Sequence, residues 1–171
     1  MRKILIIDTS ILCVWLQVPG KDTCGLINYA DVNEHIEAAI REGATLALPL
    51  ATIIETGNHI SQASGDKFAI AKDFCELIIA TIEETSPWAA FSHQSGFWHG
   101  DSLKKLLIKW QERVNTNHSL GDASIVDVAQ FYAELPNTIV EIYTGDEGLK
   151  AYQPIRPSVI PRRRKYKIRE N

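Results

Sequence analysis

Lys3-Ile4-Leu5-Ile6-Ile7-Asp8-Thr9-Ser10 decides the fold class. A short, continuous apolar run suits a strand of a parallel sheet that is covered on both faces. An acid follows it directly, at the strand's carboxyl end, where burial makes an unpaired charge costly. Thr9 and Ser10 come next, and either can cap a helix that begins near Ile11. Strand, acid and helix start thus occupy eight consecutive positions.

The same grammar repeats outward from this stretch. Val18-Pro19-Gly20-Lys21 opens a loop, and Asp31 or Asn33 can cap a helix through His35–Ile40 that stops before Gly43. Residues 44–48 read as a second strand closed by Pro49, and residues 52–59 as a helix. In residues 67–85 the apolar positions Phe68, Ala71, Phe74, Cys75, Ile78, Ile79 and Ile82 recur at steps of three and four, a helical period. Residues 86–100 break that period and are expected to form an aromatic-rich loop. Asp101 or Ser102 caps a further helix to about Asn115. Residues 122–135 are predicted helical up to Pro136, 139–143 a strand, and a short helix follows Thr144-Gly145-Asp146. Strands alternating with helices imply an α/β fold around a mostly parallel sheet. Residues 1–155 are expected to form one domain, with 86–120 as an extra loop-plus-helix segment and 156–171 as a basic tail.

Composition is that of an ordinary globular chain: 171 residues, 45% hydrophobic and 23% charged. No apolar run approaches the ~20 residues of a membrane span. Asp8 interrupts the N-terminal apolar run too early for a signal peptide, so a cytoplasmic protein is expected. Cys13, Cys24 and Cys75 show no CxxC spacing and read as small buried hydrophobes. The net charge of −3 conceals an asymmetry. Residues 156–171 hold seven basic and one acidic side chain (+6), and residues 1–155 hold 11 basic and 20 acidic ones (−9). An acidic body with a basic tail suits a metal-binding body and a phosphate-attracting tail; a merely solvating tail is the alternative.

Sheet geometry turns these acids into a candidate site. In open parallel sheets active sites lie outside the carboxyl ends of the strands. Asp8 and Asp146 stand just beyond two such ends, and Glu55 and Asp122 lie near the starts of helices that begin at the same edge. Four carboxylates in one place repel one another, and a divalent cation relieves the conflict. Magnesium or manganese would also orient a water for phosphodiester hydrolysis. Taken singly, Asp122 and Asp146 are equally well explained as helix caps, and Glu55 as an exposed helix residue.

Four segments then resemble the motifs of PIN-domain nucleases, in order. They are Ile6-Ile7-Asp8-Thr9-Ser10, Pro49-Leu50-Ala51-Thr52-Ile53-Ile54-Glu55, Gly121-Asp122-Ala123-Ser124-Ile125 and Thr144-Gly145-Asp146-Glu147-Gly148-Leu149. The resemblance implies a sheet of four to five parallel strands flanked by helices, Mg2+ or Mn2+ dependence, and RNA cleavage leaving 5′-phosphate ends. Asp8, Glu55, Asp122 and Asp146 match the catalytic acids, with Asp8, Asp122 and Asp146 as metal ligands and Ser10 and Thr144 in support. Many small members are VapC-type toxins held by an antitoxin. That makes an antitoxin or another protein a candidate partner besides the RNA substrate, with a homodimer left open. Residues 86–120 and the basic tail have no counterpart in the compact toxins. A non-catalytic RNA-binding or complex-forming module is the alternative function.

Other candidates weigh less. Asp127 lies about 140° around the helix from Asp122. His59, four residues after Glu55, reads as a surface or capping histidine, and His93 and His99 lack metal-ligand partners. Trp88, Phe91, Phe97 and Trp98 suit either packing or base stacking. Lys104, Lys105 and Lys109, with Arg162, Arg163 and Arg164 of the tail, are the candidate RNA contacts. No GxGxxG, Walker or GxSxG motif occurs, and Ser10 stands where a haloacid-dehalogenase phosphatase has its second Asp.

Overall fold

The computed structural model describes residues 1–116 and 118–154. The basic tail, with Arg162, Arg163 and Arg164, lies outside the described residues. The apolar run after Met1 forms β1 (Arg2–Ile7), whose Ile4, Leu5, Ile6 and Ile7 are completely buried. β1 is the centre of a parallel sheet, flanked by β2 (Thr45–Ala47) and β3 (Thr138–Tyr143). Leu5 sits opposite Leu46 on one side and Glu141 on the other. Alternate residues of β1 feed two cores. Leu5 and Ile7 pack on one face with Ile11, Leu12, Val32, Ile36 and Phe74. Ile4 and Ile6 pack on the other with Ile125, Val128, Ala129, Tyr132 and Leu149. Both faces are covered, as the unbroken apolar run required.

The sheet has three strands among the described residues, not the four to five that the resemblance implied. Each outer edge is satisfied by something smaller than a strand. Beside β2, Leu46 donates to Pro87 O and accepts from Ala89 N, a single parallel bridge. Pro87 has no N–H with which to continue it. Beside β3, the Gln153 side-chain amide bonds both the N–H and the C=O of Ile142, at 2.8 and 2.7 Å. A side chain there does locally what another strand would do.

Among the described residues there are seven α-helices, in order α1 (Thr9–Trp15), α2 (Tyr29–Arg41), α3 (Leu50–Gln62), α4 (Lys67–Ile82), α5 (Gly100–Arg113), α6 (Leu120–Ala133) and α7 (Glu147–Lys150). Their starts correct the expected caps. Asp8 itself caps α1, in place of Thr9 or Ser10, because its extended backbone lets the carboxylate accept from Ser10 N. Asn28 caps α2, and Asp31 closes a reciprocal capping box. His99 precedes α5 and makes no side-chain cap, so neither Asp101 nor Ser102 is the cap. The aromatic stretch contains a 3-10 helix, Phe91–Trp98, where a loop was expected. Among the described residues, no helix is long and apolar enough to cross a membrane.

Candidate active site

β1 and β3 are parallel neighbours, so both deliver their next residues to the same edge of the sheet. Asp8 leaves β1 and caps α1; Asp146 leaves β3 and caps α7, its Oδ1 accepting from Leu149 N at 3.0 Å. Asp122 stands in the first turn of α6, in a capping box with Ser119. Glu55 lies in the second turn of α3. A buried bond, Thr52 Oγ1 to Ile7 O at 3.0 Å, ties that helix to the end of β1. The outcome is one cavity of about 300 Å³ whose lining includes Asp8, Ser10, Glu55, Asp122 and Asp146. All four sequence-predicted acids are therefore brought together, from positions up to 138 residues apart.

Hydroxyl groups brace this edge. Ser10 Oγ and Thr144 Oγ1 both donate to Asp8 Oδ2, at 2.7 and 2.8 Å. The same two hydroxyls accept from the loop that carries the last acid: Ser10 Oγ from Gly145 N and Thr144 Oγ1 from Asp146 N, each at 3.0 Å. Ser10 and Thr144 thus couple the Asp8 carboxylate to the Asp146 backbone. Thr9 Oγ1 donates to Glu55 Oε2 at 2.8 Å, which links the α1 start to α3.

A pattern emerges from these bonds. Each acid commits one oxygen to the protein: Asp8 Oδ2, Glu55 Oε2, Asp122 Oδ2 and Asp146 Oδ1. The second oxygen of each takes no hydrogen bond among the described residues. None of the four is in an ion pair there, and Lys21 is the one lysine in the lining. Four hard oxygen donors with little compensating charge are the donor set of a magnesium or manganese site. Among the described residues, however, no three His, Cys, Asp or Glu side chains form a group tight enough to hold an ion between them. The carboxylates share a cavity without meeting in it. That suits an ion that keeps several waters and takes only one or two carboxylates directly, as magnesium does.

Two glycines permit the close approaches. A Cβ on Gly121 would overlap the Glu55 carboxylate, and one on Gly145 would overlap Cys24 Sγ. Cys13, Lys21, Thr23, Cys24 and His59 also line the cavity, and none of them was singled out as a site residue in the sequence. His59, expected at the surface, is among them; its spacing from Glu55 was the available signal. Lys21, Thr23 and Cys24 belong to the α1–α2 loop, which has no periodicity to reveal what it faces. Cys13 is buried, and burial pushes its thiol up to about 11.

The remaining candidates scatter. Asp127 turns away from the acids and pairs with Lys109 at 2.9 Å. Lys104 pairs with Asp101 within α5, whereas Lys105 is in no ion pair among the described residues. Trp88 packs against Trp15 on the core beside β2. His93 and His99 are exposed and outside the acidic cavity. In comparison with known proteins, no family model, no curated protein and no solved structure matches the chain.

Proposed function

We propose that the chain is a divalent-metal-dependent endoribonuclease that hydrolyses RNA phosphodiester bonds in the acidic cavity. One observation carries the reading: four carboxylates from four separate segments line a single cavity, each with one oxygen left over for a ligand. Asp8, Asp122 and Asp146 would surround Mg2+ or Mn2+, one or two of them bound directly and the rest through the ion's waters, and Glu55 would complete that outer shell or help activate the attacking water. When bound, the ion supplies an activated water and stabilises the leaving oxygen. Ser10 and Thr144 hold the Asp8 carboxylate in one orientation, and Lys21 offers a positive charge to a phosphate entering the same cavity. The choice of RNA over DNA, and the extension to a toxin restrained by an antitoxin, rest on the resemblance of the four motifs.

The test is cleavage of single-stranded and structured RNAs by purified protein with manganese or magnesium, beside Asp8→Asn and Asp146→Asn. Asparagine keeps one carbonyl oxygen in place to accept the scaffold's hydrogen bonds, so both variants fold with near-normal melting temperatures. Each abolishes cleavage. Full activity in either variant overturns the assignment. Wild-type protein that binds these RNAs in a salt-dependent manner but cleaves none is a binding module instead.

A further inference from the structure

A second cavity, of about 310 Å³, lies on the flank of α6 that faces α5. Its walls combine three kinds of group. Phe97 and Phe131 meet edge to face, 5.3 Å apart, and each is partly open to solvent. Lys105 is exposed and in no ion pair among the described residues, whereas Lys109 beside it is neutralised by Asp127. Ser124 is 5% exposed, and its hydroxyl takes no hydrogen bond among the described residues. The common partner, the carbonyl four residues back, is not used, and the hydroxyl belongs to the cavity lining. The hydroxyl is thus free to bond a ligand atom that enters the cavity.

Position supplies the rest. α6 begins in the acidic cavity with Asp122 and then passes the second cavity. Ser124 and Gln130 lie roughly 3 Å and roughly 12 Å further along the axis, at about 1.5 Å per residue. Asp122 and Ser124 stand about 200° apart around that axis, so a polymer that occupies both cavities has to pass around the start of α6. The volume falls at the small end of the ~300–1,000 Å³ range of ligand pockets, which suits one flat ring system rather than a folded partner. An aromatic wall, a lone cation and side-chain donors and acceptors that face the cavity are the means by which proteins hold an unpaired base and its phosphate.

We infer that this second cavity is a base-binding subsite. It takes one unpaired nucleobase of the RNA against Phe97 and Phe131, with Ser124 and Gln130 reading its edge and Lys105 meeting a neighbouring phosphate. The inference rests on the ribonuclease reading for its polymer and extends it to sequence preference. It also gives residues 86–120 a task, since Phe97 and Lys105 both come from that segment.

Full-length protein is titrated, with chelator present, into fluorescent single-stranded oligoribonucleotides of one base type each, and anisotropy is read. One base is bound more tightly than the others. Lys105→Glu weakens the preferred oligonucleotide roughly tenfold, and Phe131→Ala does the same. Phe131 also packs on a core, so Ser124→Ala and Gln130→Ala provide variants that leave the aromatic pair in place; each narrows the difference between bases. Equal affinity for all four bases, or affinity and preference unchanged in both Lys105→Glu and Ser124→Ala, overturns the inference. Withholding metal separates the two readings. Base-selective binding with no cleavage when manganese is restored keeps the subsite and removes the nuclease. Cleavage accompanied by base-blind binding does the reverse, and leaves the cavity to some other ligand, such as a peptide.

Discussion

Asp8 carries three duties at once. It ends β1, caps α1 and supplies the most buried of the four carboxylates, 5% exposed. Two hydroxyls hold it, and both also bind the loop that bears Asp146. Residues that orient a ligand without touching the ion typically matter by ~10–100-fold in metal affinity or activity. Ser10→Ala and Thr144→Ala are therefore expected to raise the manganese concentration needed for half-maximal cleavage by about that factor. Metal titration of the cleavage rate measures it. A loss of rate at saturating manganese with an unchanged half-maximal concentration would assign these hydroxyls to substrate rather than to Asp8.

Among the elements, α6 has the most to position. Its Ser119–Asp122 capping box satisfies donors of the first turn, at 2.9 Å each way, and fixes the Asp122 carboxylate in the same stroke. Removing an N-cap hydroxyl costs ~0.5–2 kcal/mol. For a chain of this size, 1 kcal/mol corresponds to ~2–4 °C of melting temperature. Ser119→Ala is expected to lower the melting temperature by a few degrees, read by circular dichroism, and to lower cleavage more than Ser119→Asp, which restores a capping acceptor. Equal cleavage in the two variants would separate the cap from the site. α6 also shows which site residues were legible beforehand. Asp122 and the helix were readable from the Gly121-Asp122-Ala123 segment and the apolar pattern. The meeting of Ser124, on the other flank, with Phe97 and Lys105 was not, because no local pattern states which helix packs beside which.

Over the whole molecule, burial sets the pH response. Cys13 is 2% exposed, and its thiol is pushed from the usual 9.0 up to about 11 by loss of solvent. The unfolded chain ionises this thiol first, so it binds fewer protons than the folded chain between those values. Stability is full below pH 9 and falls as pH rises towards 11. Denaturant unfolding across that window should show the decline, and Cys13→Ala should make it shallower. Tyr143, pushed up to about 12 chiefly by burial, contributes in the same direction at higher pH. The charge asymmetry gives a second molecular prediction. Deleting residues 162–171 removes six basic side chains and one acid. The salt dependence of RNA binding should become flatter, and an unchanged slope would mean that the tail does not meet phosphate.

Local information alone determined a good deal of this protein. An apolar run of four followed by an acid specified a covered central strand with a carboxylate at its end. The helical periods located most helices to within a few residues. The positions of four acids at strand ends and helix starts named the carboxylates of one cavity, since parallel strands must present their carboxyl ends on one edge. Only tertiary structure decided how many strands the sheet has, because Gln153 and the Pro87–Ala89 segment satisfy its edges through contacts that no periodicity encodes. It alone placed Lys21, Cys24 and His59 among the acids, and it alone brought the 86–120 segment against α6. Side-chain period and capping act over a few residues and are written in neighbouring positions. Cavities form where distant surfaces meet, and their chemistry exists only once the chain has closed on itself.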